Sequence, residues 1–201
     1  MCGVWAVRLG AFLAWRVHRA GHDKRFEHIK SDALRFLVAW TLQGLWVFLT
    51  LCPVLIVVGS PRLHLTSVWT LAGATLWAVG FVLEVIADWQ KSRFRADPAH
   101  ANRFIATGLW AWSRHPNYAG EILLWLGVFV VCVPMLQGLQ WAVVLSPLFV
   151  ILLITRVSGL PMLESAARKR WGEDTAYQAY VARTPCLWPA IPRRAVPTAQ
   201  R

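Results

Sequence analysis

Four stretches of this 201-residue chain are apolar over the length a helix needs to cross a bilayer, and this decides the fold class before any motif is read. About 20 residues at 1.5 Å rise cover roughly 30 Å of hydrocarbon. The stretches 33–58, 68–87, 119–136 and 141–162 meet or approach that length, and a shorter one, 1–15, is interrupted by Arg8. Backbone polar groups in lipid must be satisfied within their own segment. The expectation is an all-α polytopic transmembrane bundle of about five membrane segments, the first partial. Pro53 is expected to kink the second segment, and Pro147 with Arg156 argue against a plain lipid-facing rod for the last.

Charge orients these segments. The chain carries 21 Lys+Arg against 10 Asp+Glu, a formal net charge of +11. Arg16, Arg19, Lys24, Arg25 and Lys30 fill the loop 16–32, whereas 59–67 holds only Arg62. Lys91, Arg93, Arg95, Arg103 and Arg114 fill 88–118, whereas 137–140 has no charge. The tail carries Arg168, Lys169, Arg170, Arg183, Arg193, Arg194 and Arg201. This alternation places the basic loops and the C-terminus in the cytoplasm. It explains the cationic excess through membrane lipid, so no nucleic-acid partner is expected. The membrane is the cytoplasmic one in a bacterium, or the endoplasmic reticulum in a eukaryote. A single membrane-embedded domain over 1–184 is expected, followed by a Pro/Arg-rich cytoplasmic tail over 185–201, extended or frayed.

Cys2, Cys52, Cys132 and Cys186 are widely scattered without a CxxC or Cys/His cluster, so neither a disulfide framework nor a metal site is expected. Cys52 and Cys132, inside apolar runs, read as small core residues. Arg8 spoils the pattern of a cleavable signal.

Two clusters carry candidate chemistry. Glu84 and Asp88 stand one helical turn apart near the cytoplasmic end of the third segment. They either mark a site, because carboxylates at that depth need a partner or a cavity, or simply reach the interface to pair with Lys91, Arg93 or Arg95. The run Arg114-His115-Pro116-Asn117-Tyr118-Ala119-Gly120-Glu121 packs five different hydrogen-bonding side chains at the mouth of the fourth segment. Pro116 suits a first helical turn, and Gly120 permits close approach of a helix or a ligand. His115 alone reads more readily as a structural hydrogen-bonder than as a base. After a break at Ser158-Gly159-Leu160-Pro161 come Glu164, Arg170, Trp171, Tyr177 and Tyr180, which also fit a basic helix on the membrane surface.

Arg114-His115-Pro116-Asn117-Tyr118-x-Gly120-Glu121 resembles the signature of the steroid 5-alpha-reductase superfamily and the integral-membrane sterol reductases. A looser Arg-His-Pro-x-Tyr form marks the isoprenylcysteine carboxyl methyltransferases. Glu84-x-x-x-Asp88-x-x-Lys91, Arg95, Gly108-Leu109-Trp110 and Ser158-Gly159-x-Pro161-x-x-Glu164 are most similar to the bacterial branch of the reductase superfamily. The resemblance implies NADPH in a cytoplasm-facing pocket, held by Asp88, Arg95, Asn117 and Glu121 and lined by Arg114, His115 and Tyr118. Glu84 stands where steroid reductases typically have Asn. Glu164, Arg170 and Tyr180 match the spacing of the sterol reductases' C-terminal cofactor motif, and Tyr118 is the candidate catalytic residue. There is no GxGxxG, so a Rossmann mode is not supported.

The implied reaction is reduction of a carbon–carbon double bond conjugated to a carbonyl in a lipophilic substrate. Relatives usually carry two or more helices before the Arg8 region, and residues that polarise the carbonyl lie on them. Two alternatives stand beside it: an S-adenosylmethionine-dependent methyltransferase like the isoprenylcysteine enzymes, and, on account of those early helices, a shortened non-catalytic relative.

Overall fold

The computed structural model describes residues 1–20, 32–60 and 67–190. Lys24, Arg25, Lys30, Arg62, Arg193, Arg194 and Arg201, which helped to orient the segments, lie outside the described residues. The fold is all-helical, with no strand among the described residues. Helix α1 is Cys2–Ala20, α2 Ala33–Gly59, α3 Val68–Ala96, α4 Pro116–Cys132, α5 Leu145–Leu152, α6 Leu160–Trp171 and α7 Thr175–Arg183. Four helical stretches are long and apolar enough to cross a membrane: Ala33–Gly59, Val68–Ala96, Pro116–Met135 and Gly138–Trp171. Helix α1 is not among them, because Arg8 and Arg16 dilute its apolar run.

Local chemistry sets the helix ends. Asp32 caps α2 by accepting from the backbone N–H groups of Leu34 (3.0 Å) and Arg35 (3.1 Å). Asp174 does the same for α7, accepting from Ala176 at 2.8 Å. Pro116 opens α4, where its missing N–H removes no intrahelical bond. The last apolar stretch is no plain rod. A 3₁₀ turn over Gly138–Val144 leads into α5, and a π turn over Leu153–Val157 follows it. The Leu153 carbonyl then accepts from both Ser158 (2.9 Å) and Gly159 (3.3 Å), which ends the helix where the Ser158-Gly159-Leu160-Pro161 run predicts a break. A Cβ on Gly159 would stand 2.5 Å from the Ile154 carbonyl oxygen, so the turn requires glycine.

The chain forms two compact units. One comprises Met1–Trp77 and Trp125–Val150. Its interior holds Trp5, whose ring meets Trp46 at 5.9 Å and Trp125 at 5.1 Å between centroids. A second cluster, Cys132, Leu136 and Val143, packs with Cys52, Ile56 and Phe129. The Cys132 thiol donates to the Pro53 carbonyl at 3.2 Å, and α2 continues through that proline. In this unit a Cβ on Gly73 would lie 2.6 Å from the Gly127 carbonyl oxygen.

The other unit comprises Ala78–Leu124 and the chain from Ile151 onward. Here Gly80 meets Gly120: a Cβ on either would stand 2.5–2.6 Å from the other's carbonyl oxygen. Small residues let helix backbones touch, and dispersion does the rest in a lipid medium that gives apolar side chains no preference. The close approach expected of Gly120 is thus between helices, and it fixes the C-terminal half of α3 against the start of α4 beside the signature.

Gly120→Leu should overpack this crossing and lower detergent-phase stability by about 1–3 kcal/mol. Gly44→Ala, where a Cβ meets nothing within 4 Å, should be neutral in the same thermal-unfolding assay. Sidedness has its own test. Reporter fusions at Gly138 should score external and fusions after Arg168 internal, and an external C-terminus would overturn the charge-based orientation.

Candidate functional site

All of the candidate chemistry gathers in the second unit. The C-terminal end of α3, the connector 97–115, α6 and α7 enclose a cavity of about 210 Å³. Its wall carries five cations, Lys91, Arg95, Arg103, Arg114 and Arg170, and a single acid, Glu164. Phe94, Phe104, Trp110, Trp171, Tyr177 and Tyr180 supply aromatic surface, and His115 completes the polar set.

The connector is held from several sides. Gly108, at φ +61°, turns the chain against Gln90, whose side-chain oxygen accepts from the Leu109 N–H at 3.0 Å. Trp110 is buried and donates its indole N–H to the Ala87 carbonyl at 3.0 Å, ending over Lys91, whose ammonium is 4.4 Å from the ring centroid. The Tyr180 hydroxyl donates to the Trp110 carbonyl at 2.7 Å, which ties α7 to the connector. Burial pushes the Tyr180 pKa up, so the phenol stays protonated and structural while its ring faces the cavity. Phe104 meets Tyr180 at 5.4 Å and Tyr177 at 5.2 Å. Asn102, in the left-handed region at φ +62°, accepts from Arg170 through its side chain and from the Trp171 indole through its carbonyl, both at 2.6 Å.

Arg114, His115 and Glu164 form the polar centre. The Arg114 guanidinium donates to Glu164 Oε2, and His115 Nε2 lies 2.6 Å from Glu164 Oε1. The His115 side chain is only 8% exposed. Burial pushes its pKa below the ordinary value, outweighing the opposing pull of the Glu164 carboxylate. The imidazole is therefore neutral at neutral pH. A carboxylate facing Nε2 assigns the proton to that nitrogen and leaves a lone pair on Nδ1. Nδ1 is buried and has no hydrogen-bond partner among the described residues.

A strap from the C-terminal side fixes this motif. Arg114 N–H donates to the Pro185 carbonyl (2.9 Å), the Ser113 hydroxyl to the Leu187 carbonyl (2.7 Å), and Ala190 N–H to the Trp112 carbonyl (3.1 Å). The same Ser113 oxygen accepts from His115 N–H at 3.1 Å. The start of the tail, expected to be extended or frayed, is extended and tied down through Ala190; residues 191–201 lie outside the described residues.

Of the residues singled out from sequence, Arg95, Arg114, His115, Glu164, Arg170 and Tyr180 share the cavity wall. Glu84, Asp88, Asn117, Tyr118 and Glu121 do not line it. Glu84 is buried, its backbone packed at the Gly80–Gly120 crossing. Asp88 is half-buried on α3 and Glu121 half-buried on α4. Tyr118 stacks on His115, with 5.9 Å between ring centroids. The Asn117 side-chain oxygen is buried without a hydrogen-bond partner among the described residues. Sequence reasoning missed Phe104 and the Asn102 clamp on Arg170. Only the left-handed backbone at Asn102 had a local signal, since Asn tolerates it.

Glu164→Ala should lower stability by about 2–3 kcal/mol, because it strands Arg114 in a site that is only partly hydrated. Adding Arg114→Met should recover part of that loss in thermal unfolding. Truncation after Thr184 removes the strap and should lower the melting temperature in the same assay.

No solved structure matches the chain. An uncharacterized protein of Schizosaccharomyces pombe is 31% identical over 154 residues, covering 63% of this chain and 45% of that protein. The chain therefore spans less than half the length of that relative. A family described as protein of unknown function, DUF1295, matches over residues 1–184. That match takes in α1 through α7 together with the signature and Glu164, and the chain belongs to the DUF1295 family.

Proposed function

We propose that this chain is a membrane-embedded, NADPH-dependent reductase of a carbon–carbon double bond conjugated to a carbonyl in a lipophilic substrate. The observation that carries this reading is the cavity wall: five cations against one acid, around aromatic rings. A dinucleotide offers the complementary set, with several phosphate charges and two flat rings. Guanidinium groups match phosphate geometry, and aromatic faces accept a base or a nicotinamide. Ligand pockets for drug-sized molecules run from about 300 Å³, so the 210 Å³ cavity suits one half of such a cofactor rather than the whole. The resemblance of the Arg114–Glu121 signature to the reductase superfamily supplies the reaction class.

When bound, the cofactor would supply hydride to the β-carbon of the substrate. The chain's own residues do the rest. Lys91, Arg95, Arg103 and Arg170 bind phosphate at the cytoplasmic mouth. Asn102 keeps Arg170 in place, which lowers the ordering loss on binding. Phe104, Tyr177 and Tyr180 give a ring a flat, water-excluding surface. Glu164 orients Arg114 and His115, and Tyr118, stacked on His115, remains the candidate proton donor. Asp88, Asn117 and Glu121 would contact parts of the cofactor beyond this cavity.

Titration of the detergent-solubilised chain separates this reading from a methyltransferase. Wild type should bind NADPH, and Arg95→Ala should weaken it about ten- to a hundredfold, as loss of a charge-assisted hydrogen bond worth about 1.5–3 kcal/mol predicts. S-adenosylmethionine has no phosphate, and any binding of it should be insensitive to Arg95. Binding of S-adenosylmethionine but not NADPH by the wild type would overturn the reductase reading.

A further inference from the structure

Cys186 belongs to the strap, 22 residues beyond Glu164 and 71 beyond His115 in sequence. The fold brings the three together. One ring nitrogen of His115, one carboxylate oxygen of Glu164 and the Cys186 sulfur lie within 4.8 Å of one another. We propose that His115, Glu164 and Cys186 form a binding site for a zinc-class transition-metal ion, with one coordination position open.

The donor set suits that class. Imidazole, thiolate and carboxylate are the three side-chain ligands of Zn²⁺, with bonds of about 2.0–2.3 Å. Tetrahedral ligands at such bond lengths sit roughly 3.3–3.8 Å apart. Closing the cluster therefore needs side-chain movements on the order of 1 Å, within reach of rotamer adjustment alone. His115 is over nine-tenths buried yet keeps an unpartnered ring nitrogen, so the imidazole has coordination capacity that the protein does not use. Cys186 is half-buried and in no disulfide.

Charge balances as well. Glu164 contributes one negative charge, and Cys186 contributes a second once its thiol proton leaves to solvent. His115 stays neutral by carrying its proton on whichever nitrogen does not ligate. The ion and its ligands then sum to zero. Arg114 keeps its bond to Glu164 Oε2 while Oε1 exchanges its contact with His115 Nε2 for the ion, and a ligating carboxylate is commonly hydrogen-bonded in this way through its other oxygen. Burial raises the Cys186 pKa, so metal binding must expel that proton and should tighten as pH rises. Three protein ligands with an open fourth position describe catalytic rather than structural zinc. Such an ion would polarise a substrate carbonyl as a Lewis acid. This last role rests on the reductase reading; ion binding does not.

Co²⁺ added to the purified full chain in detergent tests the site, because a cysteine ligand produces a thiolate-to-cobalt charge-transfer band. Wild type should show the band, Zn²⁺ should displace it, and Cys186→Ser should abolish it. His115→Gln should weaken Co²⁺ binding by more than about a hundredfold. Wild-type protein alone provides a second reading: Zn²⁺ should protect Cys186, and not Cys2, from alkylation as mapped by mass spectrometry. No band in the wild type, a band that survives Cys186→Ser, or equal alkylation of Cys186 with and without Zn²⁺ would each overturn the proposal. NADPH affinity measured on the same samples stands or falls separately.

Discussion

Glu164 receives hydrogen bonds from two sides, Arg114 on Oε2 and His115 on Oε1, and the rest of the second unit is arranged around that sharing. The carboxylate is carried by α6, beyond the helix break, whereas both donors lie just before α4. A partly buried carboxylate with a guanidinium on one oxygen and an imidazole on the other has both oxygens engaged, so its position is determined rather than sampled. Everything that fixes either end matters: the π turn and Gly159 upstream of α6, the Ser113 hydroxyl and the strap beside the signature.

The glycine contacts work on the same problem from below. Gly80 against Gly120 brings the backbones of α3 and α4 together one turn before Glu84 and one turn after the Arg-His-Pro motif. Bulk there would separate α3, which carries Lys91 and Arg95, from α4, whose first residues follow His115. The cations that reach the cavity from α3 thus depend on residues that have no side chain.

Hydropathy alone made the four crossing helices legible, because backbone satisfaction in lipid leaves a long apolar run one choice. The break at Ser158–Gly159 was legible too, since Gly and Pro in succession cannot continue a helix. The core of the site was half legible. Arg114, His115 and Glu164 stood out as polar side chains where helix ends were expected, and the cavity unites them. Glu84 reads the same way in sequence, but in the fold its backbone packs into a helix crossing, and periodicity cannot tell the two apart. Cys186 was invisible. Its neighbours are far away in the chain, and spacing rules for metal sites or thiols assume ligands that are close in sequence.

The strap has a consequence for biosynthesis. Trp112, Ser113 and Arg114 are made at the mouth of a helix that inserts while translation continues, whereas their fastenings, Ala190, Leu187 and Pro185, follow about 70 to 80 residues later. Chains fold from the N-terminal end as they emerge. The membrane helices can therefore be complete while the signature still lacks its backbone partners, and the site closes only when the strap has left the ribosome. A chain that stops short of the strap would leave the basic, aromatic cavity wall without that backbone fastening.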